Sequence, residues 1–325
     1  MRRRSISRAA VSLAVLGASL APFWAGSYLL HVWIVTCLFI VIASAWNLAA
    51  MAGQISLGHA GFFGIGAYAA AVLFERWGAG PLWGMAAGGA LAAAAAAAVG
   101  RVCLRIRGVY FAMPTIAFAE AVKVLVVTTP AVTSGAMGIG LPPLFGGSRP
   151  AAYGLVLGLV ALTLATDIAL RRSRWRYAVA AIREDEDAAG MLGVDPARFK
   201  VAALAISAGL TGMAGGFYAH YISFVEPHVV FGLQISVESQ IMPIVGGVYT
   251  LWGPVLGALI LVPAKQYMAY RLGASELYLV GYAAVFVVIL LVLPRGILPS
   301  LGDAYERWRY RGTRVAPQPE EVPVA

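Results

Sequence analysis

The residues Gly53-Gln54-Ile55-Ser56-Leu57-Gly58-His59-Ala60-Gly61-Phe62-Phe63-Gly64-Ile65-Gly66-Ala67-Tyr68 set an amide, a hydroxyl and an imidazole among five glycines in an otherwise apolar stretch. Such groups can bind a polar solute, and in lipid they are costly unless they face protein or water. The plainer reading is tight helix packing with His59 satisfied by a carbonyl. Further along, Tyr110-Phe111-Ala112-Met113-Pro114-Thr115-Ile116-Ala117-Phe118-Ala119-Glu120-Ala121-Val122-Lys123 places an acid and a base three residues apart, where they can neutralise each other on a helix, with Pro114 interrupting the segment. Glycine and proline break both segments, so Gln54, Ser56, His59, Tyr110, Thr115 and Glu120 are expected to line one cavity along a substrate path.

Enzyme chemistry finds little support. No Gly-x-x-x-x-Gly-Lys-Ser/Thr occurs, so the chain has no P-loop of its own, and HExxH, GxSxG and CxxC are missing. His31, His59, His220 and His228 are scattered, and Cys37 and Cys103 form neither a CxxC pair nor a ligand spacing. No catalytic residue, bound metal or cofactor is expected.

The elements that must carry these residues follow from composition. Of 325 residues, 60% are hydrophobic and only 12% charged, with mean hydropathy +0.79. Soluble domains hold about 25% charged residues, so this chain belongs in a bilayer. The net charge of +9 does not indicate nucleic acid, because the basic residues sit in short clusters between uncharged stretches. The 66 residues Ala9 to Phe74 lack Asp, Glu, Lys and Arg and must hold about three helices of about 20 residues. Spans are expected at 9–28, 31–50, 58–74, 81–100, 108–128, 151–170, 200–222, 239–263 and 277–294. The fold class is all-α, a polytopic transmembrane helical bundle of about 8–10 spans with at least one broken or re-entrant segment. Gly84-x-x-x-Gly88 and the run Ala92 to Ala98 read as packing surfaces.

Orientation comes from the loops. With the amino terminus in the cytoplasm, four basic residues precede the first span, three follow the fourth, and seven lie between Arg171 and Lys200, against only Arg76 and Arg149 on the other side. Residues 1–8 are then a cytoplasmic tail, 9–300 the membrane domain, and 301–325 a disordered cytoplasmic tail. Arg3-Arg4 with the following apolar run reads as a start-transfer helix rather than a cleaved signal. Lys265 and Arg271 before the last span conflict with Arg295 after it. Either the chain turns back within 223–294, for which Gly246-Gly247 is a plausible break, or the weaker pair lies outside.

The loop Ala181-Ile182-Arg183-Glu184-Asp185-Glu186-Asp187-Ala188-Ala189-Gly190-Met191-Leu192-Gly193-Val194-Asp195 reads as a short amphipathic helix, its acids at the positive N-terminal end and Gly193 near its close. Ala188, Ala189, Met191 and Leu192 form its small apolar face. The loop 223–238 carries Glu226, His228, Gln234 and Glu238 but no Lys or Arg, and is expected to face outward.

Four phrases in order, GQISLGHAGFFGIGAYAA, RGVYFAMPTIAFAE, AIREDEDAAGMLGVDPARFKVAALAISAGLTGMAGGFYAHY and GGVYTLWGPVLGA, resemble the membrane permease subunit of branched-chain amino-acid ABC importers, over about residues 30–300 and of the second permease type. Urea and short-chain amide importer permeases are similar in the same motifs. The resemblance implies a bacterial inner-membrane subunit beside a second permease subunit, two cytoplasmic ATPases that use ATP-Mg, and an extracytoplasmic substrate-binding protein. It further implies that Arg183, Glu184, Asp185, Ala188, Ala189, Gly190, Met191, Leu192 and Gly193 couple to the ATPase. The loop 223–238 carries no family signature; from its acids and its side alone, Glu226, His228, Gln234 and Glu238 are expected either to contact the binding protein or to form a solvated connector. A secondary transporter would need embedded charges, for which Glu120, Lys123 and Asp167 are the candidates before residue 226.

Overall fold

The structure, a computed structural model, describes residues 26–103, 108–273, 277–292 and 296–301. Residues 9–25 of the expected first span, the N-terminal tail with Arg2, Arg3, Arg4 and Arg8, Arg105, Arg107, Arg295 and residues 302–325 lie outside the described residues.

The described chain is helical apart from its turns and one short strand pair. Helix α1 (Ser27–Met51) is apolar on every side, and each residue from Ile40 to Ala52 is buried, so α1 occupies the centre of the bundle. Around it run α2 (His59–Trp77), α3 (Pro81–Cys103), α4 (Ala112–Thr128), α6 (Arg149–Arg172) and α9 (Pro196–Ile222), with the one-turn α5 (Pro130–Thr133) after α4. Helix α9 packs on α2 and α3, and α1 packs on α6, α9 and α12 (Gly253–Leu272). Among the described residues five helices are long and apolar enough to cross a membrane, or six if α4 and the segment Pro130–Met137, bent by 85°, count as one broken span. Pro114 does not interrupt α4. It sits in the first turn, where a missing N–H costs no intrahelical bond.

Glycines set the closeness of the α2, α3 and α9 contact. A Cβ on Gly66 would lie 1.9 Å from the Gly212 carbonyl oxygen, and one on Gly88 would lie 2.7 Å from that of Gly66. Backbones approach here as small-residue stripes allow, and Gly84 and Gly88 are packing positions as their spacing predicts.

The expected span 239–263 is corrected. Helix α11 (Leu233–Gly246) and α12 run antiparallel, joined by a turn at 247–252, because Gly246, Gly247 and Gly253 let the backbone fold on itself. A Cβ on Gly246 would lie 1.7 Å from the Gly253 carbonyl oxygen. Tyr28 at the start of α1 donates to the Gln266 carbonyl at 3.2 Å, so α12 ends beside Ser27, and α13 (Leu277–Val292) returns. Arg271 therefore lies at the same end as Arg76 and Arg149, which resolves the charge conflict without a turn inside the last span. Arg101 and the basic residues between Arg171 and Lys200 lie at the other, basic end. At the end away from them, β1 (Ile139–Gly140) and β2 (Phe224–Val225) form an antiparallel pair, with Ile139 opposite Val225. Cys37 and Cys103 are both buried free thiols.

Candidate functional site

The break between α1 and α2 takes residues 52–58 out of regular helix; the N–H groups of Ala52, Gly53 and Gln54 still bond to the last carbonyls of α1, and in a bilayer the remaining backbone groups must be satisfied by protein. Side chains of four helices bond to this break or to the first turn of α2. Trp46 Nε1 on α1 donates to the Ser56 carbonyl at 2.9 Å. The Leu57 N–H donates to Thr115 Oγ1 on α4 at 3.1 Å, and Thr115 in turn donates to the Ala112 carbonyl at 2.8 Å. The Ala60 N–H donates to Ser236 Oγ on α11 at 2.8 Å. His59 Nε2 meets Ser207 Oγ on α9 at 2.8 Å. Gln54, Ser56, His59, Thr115, Ser207 and Ser236 are all buried, so the junction is a closed polar knot at the basic end.

The His59 and Ser207 contact has the atoms of a nucleophile and base, yet His59 Nδ1 has no hydrogen-bond partner and neither residue reaches solvent. The pair thus lacks, among the described residues, the orienting acid and the opening that a hydrolytic dyad uses. Two of the expected path residues do not join the knot. Tyr110 is 72% exposed, and Glu120 lies on the open side of α4 paired with Lys123, three residues on and within one helix face. Ser207 and Ser236 belong to the knot and were not marked by the sequence, since single serines in apolar helices carry no spacing of their own.

At the same end, α7 (Trp175–Glu184) and α8 (Glu186–Met191) replace the single helix expected over 181–195. Asp185 breaks them. Its backbone is extended, and its Oδ1 accepts from the N–H groups of Asp187 and Ala188 at 2.9 and 3.0 Å, capping α8. Gly193, at φ +83°, ends the segment, and Lys200 pairs with Glu186 to hold α8 against α9. The expected apolar face splits in two. Ala189 is buried against the bundle, whereas Met191 and Leu192 are 89% and 82% exposed, with Ala188 and Gly190 also on the open side. Glu184 is exposed and pairs with Arg183.

Arg183 is the root of this element. Its guanidinium carbon lies 4.3 Å from the ring centroid of Tyr249 in the 247–252 turn, and its Cα lies 3.6 Å from where a Cβ on Gly53 would stand. The 247–252 turn is gripped from two further sides. Asn47 Oδ1 accepts from the Tyr249 N–H at 2.8 Å and its Nδ2 donates to the Thr250 carbonyl at 2.9 Å. Arg171, bonded to the buried Asp167 at 2.6 Å, donates to the Tyr249 carbonyl at 2.8 Å. Asp167 is thus committed to a local i,i+4 pair. Asn47, a lone amide inside the charge-free run, was the available sequence signal for this grip.

The acidic loop expected over 223–238 is corrected in part. Residues 227–230 form a short helix, α10 (Pro227–Val230), and Gln234 and Glu238 lie on α11 rather than in a loop. Glu226 is half-buried and His228 exposed at the end away from the basic cluster. Glu238 is not on the surface: its side chain is 3% exposed, it pairs with Lys265 of α12, and it accepts from Gln234 Nε2 at 2.8 Å. A carboxylate one turn from a glutamine on a bundle-facing helix finds its cation across the hairpin, so a docking contact through Glu238 is geometrically closed. Among the described residues no group of three metal-ligating side chains occurs.

Residues 28–293 match the family described as branched-chain amino acid transport system / permease component. The permease protein LivM of the high-affinity branched-chain amino acid transport system of Escherichia coli (strain K12) is 31% identical over 319 residues, covering 89% of this chain and 74% of the relative. LivM of Salmonella typhimurium is 30% identical over 308 residues, covering 86% and 72%. LivH of Escherichia coli (strain K12) is 26% identical over 180 residues, covering 51% and 58%. No solved structure matches significantly. A polytopic helical bundle with a buried junction, an exposed element at its basic end and a family match across nearly all of its described length belongs to the branched-chain amino acid transport system permeases.

Proposed function

We propose that this chain is a non-catalytic subunit of an ATP-driven importer of branched-chain amino acids in a bacterial cell membrane. Its basic end and its amino terminus face the cytoplasm, as Lys and Arg resist translocation. It works beside a second permease subunit, as the alignment with both LivM and LivH suggests. Two cytoplasmic ATPases using ATP-Mg drive it, and an extracytoplasmic binding protein delivers the solute to the opposite end, where Glu226 and His228 stand.

The observation that carries this reading is the position of Arg183. It joins an element with exposed Met191 and Leu192 to both turns of the basic end, the 52–58 turn and the 247–252 turn. A partner that seats on Met191 and Leu192 pushes through Arg183 on the backbone between α1 and α2 and on the α11–α12 hairpin. Binding energy is thereby turned into a relative movement of helices.

Co-expression with the adjacent transport subunits and measurement of leucine uptake into proteoliposomes tests the reading. ATP-dependent uptake that Arg183→Ala abolishes while assembly persists is the expected result. Uptake that needs no ATPase and follows an ion gradient overturns it.

A further inference from the structure

Between α1, α9, α11 and α12, in the half of the bundle away from the basic end, lies a cavity of about 480 Å³. Its wall is aliphatic and aromatic over Ile34, Leu38 and Ile42 of α1, Phe63 of α2 and Ile235 of α11. Its polar side is the Glu238–Lys265 ion pair. We propose that this cavity is a binding station, contained in this one chain, for a zwitterionic amino acid with an aliphatic side chain. The inference rests on the importer reading above for the class of solute that reaches it.

The charges select the ligand. Glu238 Oε1 is occupied by Lys265 and Gln234, while Oε2 is buried with no hydrogen-bond partner. A buried carboxylate oxygen left unpaired is costly, and a primary ammonium supplies the donors it lacks. Lys265 is partly exposed and has donors for a carboxylate. A zwitterion laid antiparallel to this ion pair makes a ring of alternating charges and brings no net charge into a low-dielectric wall. A simple carboxylate or a simple amine would leave one charge uncompensated. The apolar wall then takes a branched hydrocarbon side chain, and the volume falls in the range of about 300–1,000 Å³ typical of small-molecule pockets.

His31 and Tyr221, hydrogen-bonded at 2.6 Å, border both this cavity and a second one of about 210 Å³ that holds Arg149 at the end of the bundle. The station is separate from the closed knot around His59, which lies at the basic end.

The test is equilibrium dialysis of radiolabelled L-leucine against the full-length chain with its copurifying subunits, in nanodiscs free of phosphatidylethanolamine. Saturable binding is expected, displaced by L-isoleucine but not by 4-methylpentanoate or 3-methylbutylamine, which each carry one of the two charges. Glu238→Gln is expected to weaken binding by at least about tenfold, the loss of one charged hydrogen bond. Ile235→Trp fills the cavity and leaves the ion pair in place, so it is expected to abolish binding at an unchanged unfolding temperature. Absence of saturable binding, or binding that Ile235→Trp leaves intact, overturns the proposal. So does phosphatidylethanolamine that copurifies with the chain, is not displaced by leucine and is lost in Ile235→Trp. If proteoliposomes import leucine while the chain binds none, this inference fails alone, whereas import of no amino acid at all sinks the importer reading.

Discussion

The side-chain amide of Asn47 substitutes for a neighbouring strand. It accepts from the N–H of Tyr249 at 2.8 Å and donates to the carbonyl of Thr250 at 2.9 Å, so one residue of the central helix closes both orphan groups of a turn 202 residues away. Replacing it by leucine keeps the volume and leaves two partly buried backbone groups unpaired. Asn47→Leu is expected to destabilise the chain by about 1–3 kcal/mol, read as a lowered unfolding temperature in detergent. An unchanged temperature would mean that the turn finds its partners elsewhere.

The three-helix contact of α2, α3 and α9 has no room for a methyl group at Gly66, and Gly158 on α6 has nothing near it. Gly66→Ala is expected to abolish accumulation of folded protein, and Gly158→Ala is expected to accumulate at the level of the parent chain. Size-exclusion profiles of the two variants check this directly. Equal profiles would show that backbone approach at Gly66 does not limit folding.

Gly190 is open to solvent, while Ala189 is buried against the bundle. A bulky residue at 190 therefore tests the partner contact, and one at 189 tests only the fold. Gly190→Trp and the double variant Met191→Asp, Leu192→Asp are expected to leave the chain folded and to remove copurifying ATPase. Normal recovery of the ATPase with both would place the coupling contact outside this element.

Thr115 and Ser56 are closed off, whereas Tyr110 and Glu120 stand open on the same stretch of chain. Single cysteines at 56 and 115 are expected to resist water-soluble thiol reagents in the absence of nucleotide. Reaction at both positions at the rate of an exposed loop cysteine would show that the knot opens as a path.

Of the two acids in the stretch 223–238, Glu226 is the one left at the end away from the basic cluster once Glu238 is committed to Lys265. Glu226→Lys is expected to slow association with the cognate binding protein at low salt, with the deficit shrinking as ionic strength rises. Stopped-flow association rates measure it, and a rate independent of the substitution at low salt would make residue 226 a mere connector.

The residue order determined the class of this molecule. A charge-free run of 66 residues forces membrane helices, since lipid offers no partner for backbone groups or charges, and four ordered motifs carried the family resemblance. Spacing also marked the breaks at Gly53 and Gly246-Gly247, because these depend on neighbours in the chain. Tertiary structure decided which polar groups meet. Glu238 reads as a loop acid and is a buried partner of Lys265, 27 residues on, because α11 and α12 fold back on their glycines. Tyr110 and Glu120 share a segment with Thr115 and do not share its side of the bundle, since a helix sends neighbouring side chains in different directions. Met191 and Leu192 read as one apolar face with Ala189, but the break at Asp185 leaves Ala189 buried and the other two exposed. Contacts of that range are fixed by packing between distant segments, and nothing local in the chain encodes them.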